Sequence, residues 1–263
     1  MGMVHYDFLS EKLGYHTNIY FILPECMKEG KEPEATLYLL HGGGGNGLDW
    51  IRFTAIERYA EVHNIAVVMP EVAGYCFYSD MKYGYPYFQY LTEEVPMIAE
   101  TLFSVNCDSK KRFVAGLSMG GYGAFKWAFN YPDFFAAAAN LSGISFIMEL
   151  FHSDDGFARK EARAKNGAVE LNWGSLEELS GSNSDSKVWI DNASMNKEKL
   201  PALFAAIGTE DFSYAYAQRY LDYSKSKGID IHYEEMTGEH EWKVWDVMIE
   251  RFVIWAKEQI VSK

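Results

Sequence analysis

The sequence is short of several things, and each shortage narrows what the chain can be. None of its apolar runs approaches the ~20 residues that a membrane-spanning helix needs, so no such span is expected. Its first stretch, MGMVHYDFLSEKLGYHTN, has neither a basic start nor an apolar core and does not read as a secretory leader. Gly2 follows Met1, but Tyr6 stands where a myristoylation signal calls for Ser or Thr. The three cysteines, Cys26, Cys76 and Cys107, are odd in number, widely spaced and without a CxxC pair. That argues against a disulfide framework or a thiolate metal site, and leaves buried free thiols in a reducing compartment. Positive charge is also scarce: a formal charge of −13 argues against a nucleic-acid backbone or an anionic membrane as partner. Internal repeats and low-complexity tracts are missing. The expectation is a cytoplasmic chain acting on a small molecule.

What is present is a full complement of core-forming residues. Hydrophobic side chains make up 48% of 263 residues, enough to bury a large core. Strand-length apolar runs alternate with longer segments of helical period. TNIYFILP, ATLYLLHG, IAVVMP, RFVAGLS, FFAAAANLSG, LPALFAAIG and IDIHYEEM read as strands. WIRFTAIERYAEVHN, YLTEEVPMIAETLFSV with Pro96 in or near its first turn, GGYGAFKWAFNYP, SYAYAQRYLDYSKSKG and EWKVWDVMIERFVIWAKEQI read as helices. Such alternation implies an α/β fold, with a mostly parallel central sheet and helices on both faces. Residues 1–263 are expected to form one domain. Residues 144–200, with the loop signals HSDDG and SGSNSDSK, have no place in the alternation and read as a cap-like insertion, either a lid or a disordered loop.

The chemistry starts at Gly116-Leu117-Ser118-Met119-Gly120, a G-x-S-x-G placed between an expected strand and an expected helix. In that context the motif sets a serine on a sharp, strained turn, with glycines where larger side chains would collide. The hydroxyl then meets the unpaired N–H groups of a helix N-terminus. A serine needs a base to remove its proton. Of the seven histidines, only His152, His232 and His240 follow it. His232 falls inside a strand and His152 in the irregular insertion, whereas His240, in TGEHEW, lies between the last strand and the terminal helix. It is the preferred base. A carboxylate must fix its tautomer. GTEDF offers Glu210 and Asp211 at a strand's carboxyl end, where either could instead cap the next helix. Asp211 is preferred, and Asp191 is a weaker rival because it precedes the strand.

An anion forming on the substrate needs backbone donors. Met119, next after the serine, offers one N–H. The glycine loop HGGGGNG (His41 to Gly47) follows TLYLL and offers another, assigned to Gly43, with His41 ordering the loop. No phosphate-loop pattern competes for these glycines. Trp50, Tyr78 within the Tyr75 to Tyr87 segment, and Trp242 are candidates to line the substrate pocket, while Trp245 reads as core.

The order Ser118, Asp211, His240 matches that of α/β-hydrolases. Together with LLHGGGGN, FYSDM, GLSMGGYGA, GTEDF and HEWKVWD, the chain resembles the esterase D-like branch of that superfamily. That branch includes tributyrin-type esterases, S-formylglutathione hydrolases, and feruloyl and acetyl-xylan esterases. The resemblance runs from about Thr17 to the last helix. It implies an α/β-hydrolase sandwich with a small insertion before the acid strand, Ser118 as nucleophile, Asp211 as acid, His240 as base, and the Met119 and Gly43 amides for the oxyanion. It implies no metal and no organic cofactor, and relatives often associate as homo-oligomers. HGGGG departs from the bulkier loop of several relatives. The expected activity is a serine carboxylesterase acting on short acyl esters, of acetyl or butyryl type, acylated sugars and feruloyl esters included. S-formylglutathione hydrolase, acyltransferase and a hydrolase-like binding module remain the alternatives. A serine peptidase would usually carry a larger substrate-excluding domain.

Overall fold

The apolar runs become the buried centre of one sheet. The computed structural model describes residues 1–106, 108–143, 146–152, 167–196 and 199–261; Cys107 and the Ser153 to Gly156 part of the HSDDG signal lie outside them. The strands are β1 (Gly2–Leu9), β2 (His16–Leu23), β3 (Ala35–Leu40), β4 (Ile65–Pro70), β5 (Arg112–Leu117), β6 (Ala137–Leu141), β7 (Ala202–Gly208) and β8 (His232–Met236). They form an eight-stranded sheet in the order β1-β2-β4-β3-β5-β6-β7-β8. β2 runs antiparallel to both β1 and β4, and every other pairing is parallel.

Every residue of β3 and β4 is buried, as expected of strands covered on both faces. Alternate side chains feed two cores. Tyr38 and Leu40 pack on one side with α4 (Val95–Phe103) and α5 (Met119–Asn130). Leu37 and Leu39 pack on the other with α2 (Ile56–His63) and α11 (Trp242–Val261). The chain leaves β3 toward β4 and returns on the opposite side to β5. The carboxyl ends of β3 and β5 therefore flank a topological switch point, where open α/β sheets bind ligands.

Three departures from the expected elements have physical causes. β1 is an additional edge strand. Val4, Tyr6 and Phe8 lean on the core while Met3, His5, Asp7 and Leu9 face outward, a period-2 alternation. The helix after the glycine loop is broken into α1 (Asp49–Phe53) and α2, because Thr54 is extended and the Ala55 amide donates to Asp246 Oδ1 (2.8 Å). The helix containing Pro96 starts earlier. α3 (Tyr87–Gln89) runs through a π-helical turn (Tyr90–Glu94) into α4, so Pro96 sits in the first turn of α4 where the wider turn accommodates its missing N–H.

Within the insertion the described residues form α6 (Ile147–His152), α7 (Ala168–Trp173), α8 (Leu176–Leu179) and α9 (Ser186–Asn196), so His152 ends a short helix instead of lying in a loop. α10 (Tyr214–Ser226) follows β7. Cys76 is buried and free, its thiol pushed up to about 12 by burial, while Cys26 is free but only half-buried. Among the described residues, no helix is long and apolar enough to cross a membrane.

Candidate active site

One residue separates β5 from α5, and it is Ser118. Its backbone has φ 52° and ψ −118°, a left-handed conformation that costs a non-glycine residue roughly 1–3 kcal/mol. Two backbone hydrogen bonds hold it there: Ser118 N–H donates to Leu141 O (2.9 Å) and Ser118 O accepts from Tyr122 N–H (3.1 Å). The flanking glycines are a steric requirement. A Cβ at Gly116 would lie 2.3 Å from Gly120 O, and one at Gly120 would lie 2.4 Å from Leu40 O.

His240 and Asp211 arrive from the ends of β8 and β7. Their loops are spliced together by Thr209 N–H to Met236 O and Glu210 N–H to Gly238 O, each 2.9 Å. His240 Nδ1 lies 2.8 Å from Asp211 Oδ2, and Nε2 lies 2.9 Å from Ser118 Oγ. A carboxylate only accepts, so Nδ1 carries the proton and Nε2 turns its lone pair to the serine hydroxyl. The Asp211 side chain is fully buried, whereas His240 remains 22% exposed. Burial alone would raise the Asp211 pKa. The hydrogen bond and charge of His240, with the Ser213 donors, outweigh it and hold the carboxyl below its ordinary value. Asp211 does not take the capping role that was its alternative: the N-cap position of α10 is Ser213, and Asp211 instead closes a turn just ahead of it. Its Oδ1 accepts from Ser213 N–H (2.8 Å) and Ser213 Oγ–H (2.7 Å) at the entry to α10. Glu210 is exposed, and Asp191 is engaged elsewhere by Lys227 and Tyr223, so neither rival reaches His240.

The glycine loop passes directly beside the serine: a Cβ on Gly42 would sit 3.5 Å from Ser118 Cβ. His41 is buried. Nδ1–H donates to Gly42 O (2.8 Å), Nε2 accepts from Val72 N–H (3.1 Å), and burial lowers its pKa, so it orders the loop as a neutral ring. Gly44 and Gly45 spend their amides on Gly74 O (3.3 Å) and Gly42 O (3.2 Å). The Tyr75 ring covers Gly43 so closely that a Cβ there would lie 2.3 Å from Cε1. The Met119 amide opens α5, where no intrahelical acceptor exists.

The aromatic candidates divide. Trp50 and Tyr78 are both fully buried and line no open surface, contrary to the pocket role expected of them. Trp50 Nε1–H donates to Leu40 O (3.1 Å) and Tyr78 O–H donates to His41 O (2.9 Å). The two rings belong to opposite cores, so they brace the root of the glycine loop from both faces of the sheet. Trp242 is half-buried, edge-on to Trp50 (5.4 Å) and Trp245 (5.2 Å) and beside Phe53 (5.0 Å). Trp245 is core, with its ring 5.0 Å from that of His240.

Sequence reasoning missed Ser213, although a serine two residues after an aspartate is a recognisable turn signature. It also missed Phe212, 41% exposed with its ring 4.8 Å from the His240 imidazole, and Lys126, which carried no signal inside its helix. Among the described residues, no group of three or more His, Cys, Asp or Glu could hold a metal ion.

Comparison with known proteins identifies the family. The profile of the family described as "Putative esterase" matches residues 10–255. An acetyl esterase of Caldicellulosiruptor saccharolyticus is 29% identical over 266 residues, covering 98% of this chain and 99% of that protein. Among solved structures, the fluorophosphonate-binding serine hydrolase FphF of Staphylococcus aureus superposes with a TM-score of 0.87 at 30% identity, over 97% of this chain and 98% of that one. The S-formylglutathione hydrolase FrmB of Staphylococcus aureus gives a TM-score of 0.83 at 30% identity, over 97% and 99%. The chain belongs to this esterase family and is a carboxylic-ester hydrolase built on the α/β-hydrolase fold.

Proposed function

We propose that the protein hydrolyses short-chain acyl esters through an acyl-enzyme on Ser118, with His240 as base, Asp211 as its orienting acid, and the Gly43 and Met119 amides as oxyanion donors. The observation that carries the reading is the relay Ser118 Oγ–His240 Nε2 (2.9 Å) and His240 Nδ1–Asp211 Oδ2 (2.8 Å), mounted on the strained turn. His240 takes the serine proton as Oγ attacks the ester carbonyl, then gives it to the departing alcohol. Water enters and is activated by the same ring to release the acid. The developing negative charge falls at the N-terminus of α5, where fixed N–H dipoles stabilise it without reorganisation.

Acetyl and butyryl esters, acylated sugars among them, stand first as substrates, supported by the similarity to an acetyl esterase along the whole chain. A thioester reading, hydrolysis of S-formylglutathione, is favoured by the likeness to a hydrolase of that name. The substrate is a small molecule, and the site is a cytoplasmic one needing no metal or organic cofactor. Residues 1–263 act as one domain, with 144–200 as a cap. Supporting the cap, Tyr122 O–H donates to Ser184 O (2.5 Å) and Asn172 Nδ2–H to Tyr75 O (2.9 Å).

A panel of p-nitrophenyl esters of increasing acyl length, with peptide p-nitroanilides and S-formylglutathione alongside, tests the reading. Turnover is expected to peak at two to four acyl carbons. Ser118→Ala should lower kcat by at least about 10⁴-fold. Undiminished turnover by Ser118→Ala would sink the proposal.

A further inference from the structure

Lys126 is the least expected side chain in the molecule. It lies in the middle of α5 and is only 1% exposed, although lysine is almost never fully buried. The triad does not use it. Nζ–H instead donates to Tyr78 O (3.1 Å), Ser79 Oγ (2.8 Å) and Ser184 Oγ (2.9 Å), and Nζ stands 4.6 Å from the centre of the Phe88 ring. The segment it grips is strained. Phe77 and Tyr78 have φ of 48° and 46°, two consecutive bulky residues in the left-handed region. Such a turn persists only where its surroundings over-determine it.

That turn holds the glycine loop. Tyr78 O–H reaches His41 O (2.9 Å), the carbonyl immediately before Gly42. The Tyr78 ring lies against Gly123 of α5, where a Cβ would come within 2.5 Å of the ring, so α5 supplies both the seat for the ring and the Lys126 Nζ that fixes its backbone. Three residues before Tyr78, Tyr75 covers Gly43. Ser184, the third acceptor of Lys126, belongs to the insertion. A single side chain thus joins α5, the strained turn and the insertion.

We infer that Lys126 is a positioning residue for the oxyanion loop, holding the Phe77–Tyr78 turn so that the Tyr78 hydroxyl fixes His41 and aligns the Gly43 amide. The inference rests on the reading of Gly43 as an oxyanion donor. Misaligning a donor weakens transition-state stabilisation more than ground-state binding, so the effect belongs in kcat.

The test uses the full chain with p-nitrophenyl acetate and four variants: Lys126→Met, Tyr78→Phe, their combination, and Ser118→Ala. Lys126→Met keeps the length of the side chain and removes its donors; Tyr78→Phe removes one hydroxyl from a well-packed ring and guards against misfolding of the first. Each single variant should lower kcat by about 10- to 100-fold with KM within about twofold. Since both act through one path, the double variant should fall no more than about twofold below the weaker single. Wild-type kcat in Tyr78→Phe, losses carried by KM, or losses that multiply in the double variant overturn the inference. Ser118→Ala separates the two readings. If it stays active, the proposed function falls; if it is inactive while Lys126→Met and Tyr78→Phe turn over at the wild-type rate, only the role of Lys126 falls.

Discussion

Replacing Lys126 by Met should change stability in a manner that depends on pH, and the size of the change follows from burial. Desolvation lowers the Lys126 pKa to about 7, opposed by the Asp80 carboxylate and the Cys76 site. Its other neighbours are neutral: the Tyr78 carbonyl, the Ser79 and Ser184 hydroxyls and the Phe88 ring. In the unfolded chain lysine titrates near ~10.4. Between those values the unfolded state binds more protons than the folded one, so stability rises with pH across the window. Below the folded value both states are protonated and the penalty of burying the charge is fully present. Raising the pH from 7 to 9 carries the folded lysine from half-charged to neutral, which adds roughly 2 kcal/mol to the wild type relative to Lys126→Met. Urea unfolding of both proteins at the two pH values measures this, and taking the difference cancels every other titrating group. A wild-type-to-variant difference constant within about 0.5 kcal/mol would show that three oxygen acceptors and an aromatic face keep the ammonium charged, refuting the reasoning.

Other outcomes follow from the same coordinates. Asp211→Asn should keep the geometry but lose the correct tautomer, lowering kcat by about 10³- to 10⁴-fold; urea titration of that variant should also show a flatter acid limb, because the stability from the depressed Asp211 carboxyl is present above its unfolded value and lost as pH falls through the folded one. Gly120→Ala drives a methyl to 2.4 Å from Leu40 O and should cost roughly 2–3 kcal/mol in thermal unfolding, with activity lost alongside. Phe212→Ala removes an exposed ring beside the His240 imidazole. Kinetics should show KM for benzyl acetate rising about 3- to 10-fold with ethyl acetate unchanged.

The Ser118–His240–Asp211 hydrogen-bonded chain was legible because each member occupies a place that chain order alone reveals: a hydroxyl between a strand and a helix, a carboxylate after a strand, an imidazole before the last helix. The glycines flanking Ser118 were legible for the same reason, since their role is local and steric. Trp50 and Tyr78 were misread because an aromatic residue beside a glycine loop looks the same whether its ring faces substrate or core. What decided the matter was two carbonyls, Leu40 O and His41 O, that only the folded chain presents to them. β1 went unseen although its alternation was on the page, since its outward face mixes the apolar Met3 and Leu9 with His5 and Asp7 and the strand carries no buried run. Lys126 was illegible for a deeper reason. A lysine in a helix reads as a solvated residue, and its burial depends on contacts with residues 47, 48 and 58 positions away.

The splice between the acid and base loops has a mechanical consequence. Asp211 and His240 are fastened to each other through Thr209, Glu210, Met236 and Gly238, while Ser118 is anchored to β6 by its own amide. Asp211 and His240 are therefore held to one another by bonds that do not pass through the strand holding Ser118. The two halves of the site meet through a single hydrogen bond, Nε2 to Oγ at 2.9 Å. The contact that fixes the imidazole tautomer, His240 Nδ1 to Asp211 Oδ2, is thus built without Ser118, and a substitution at the serine leaves it in place.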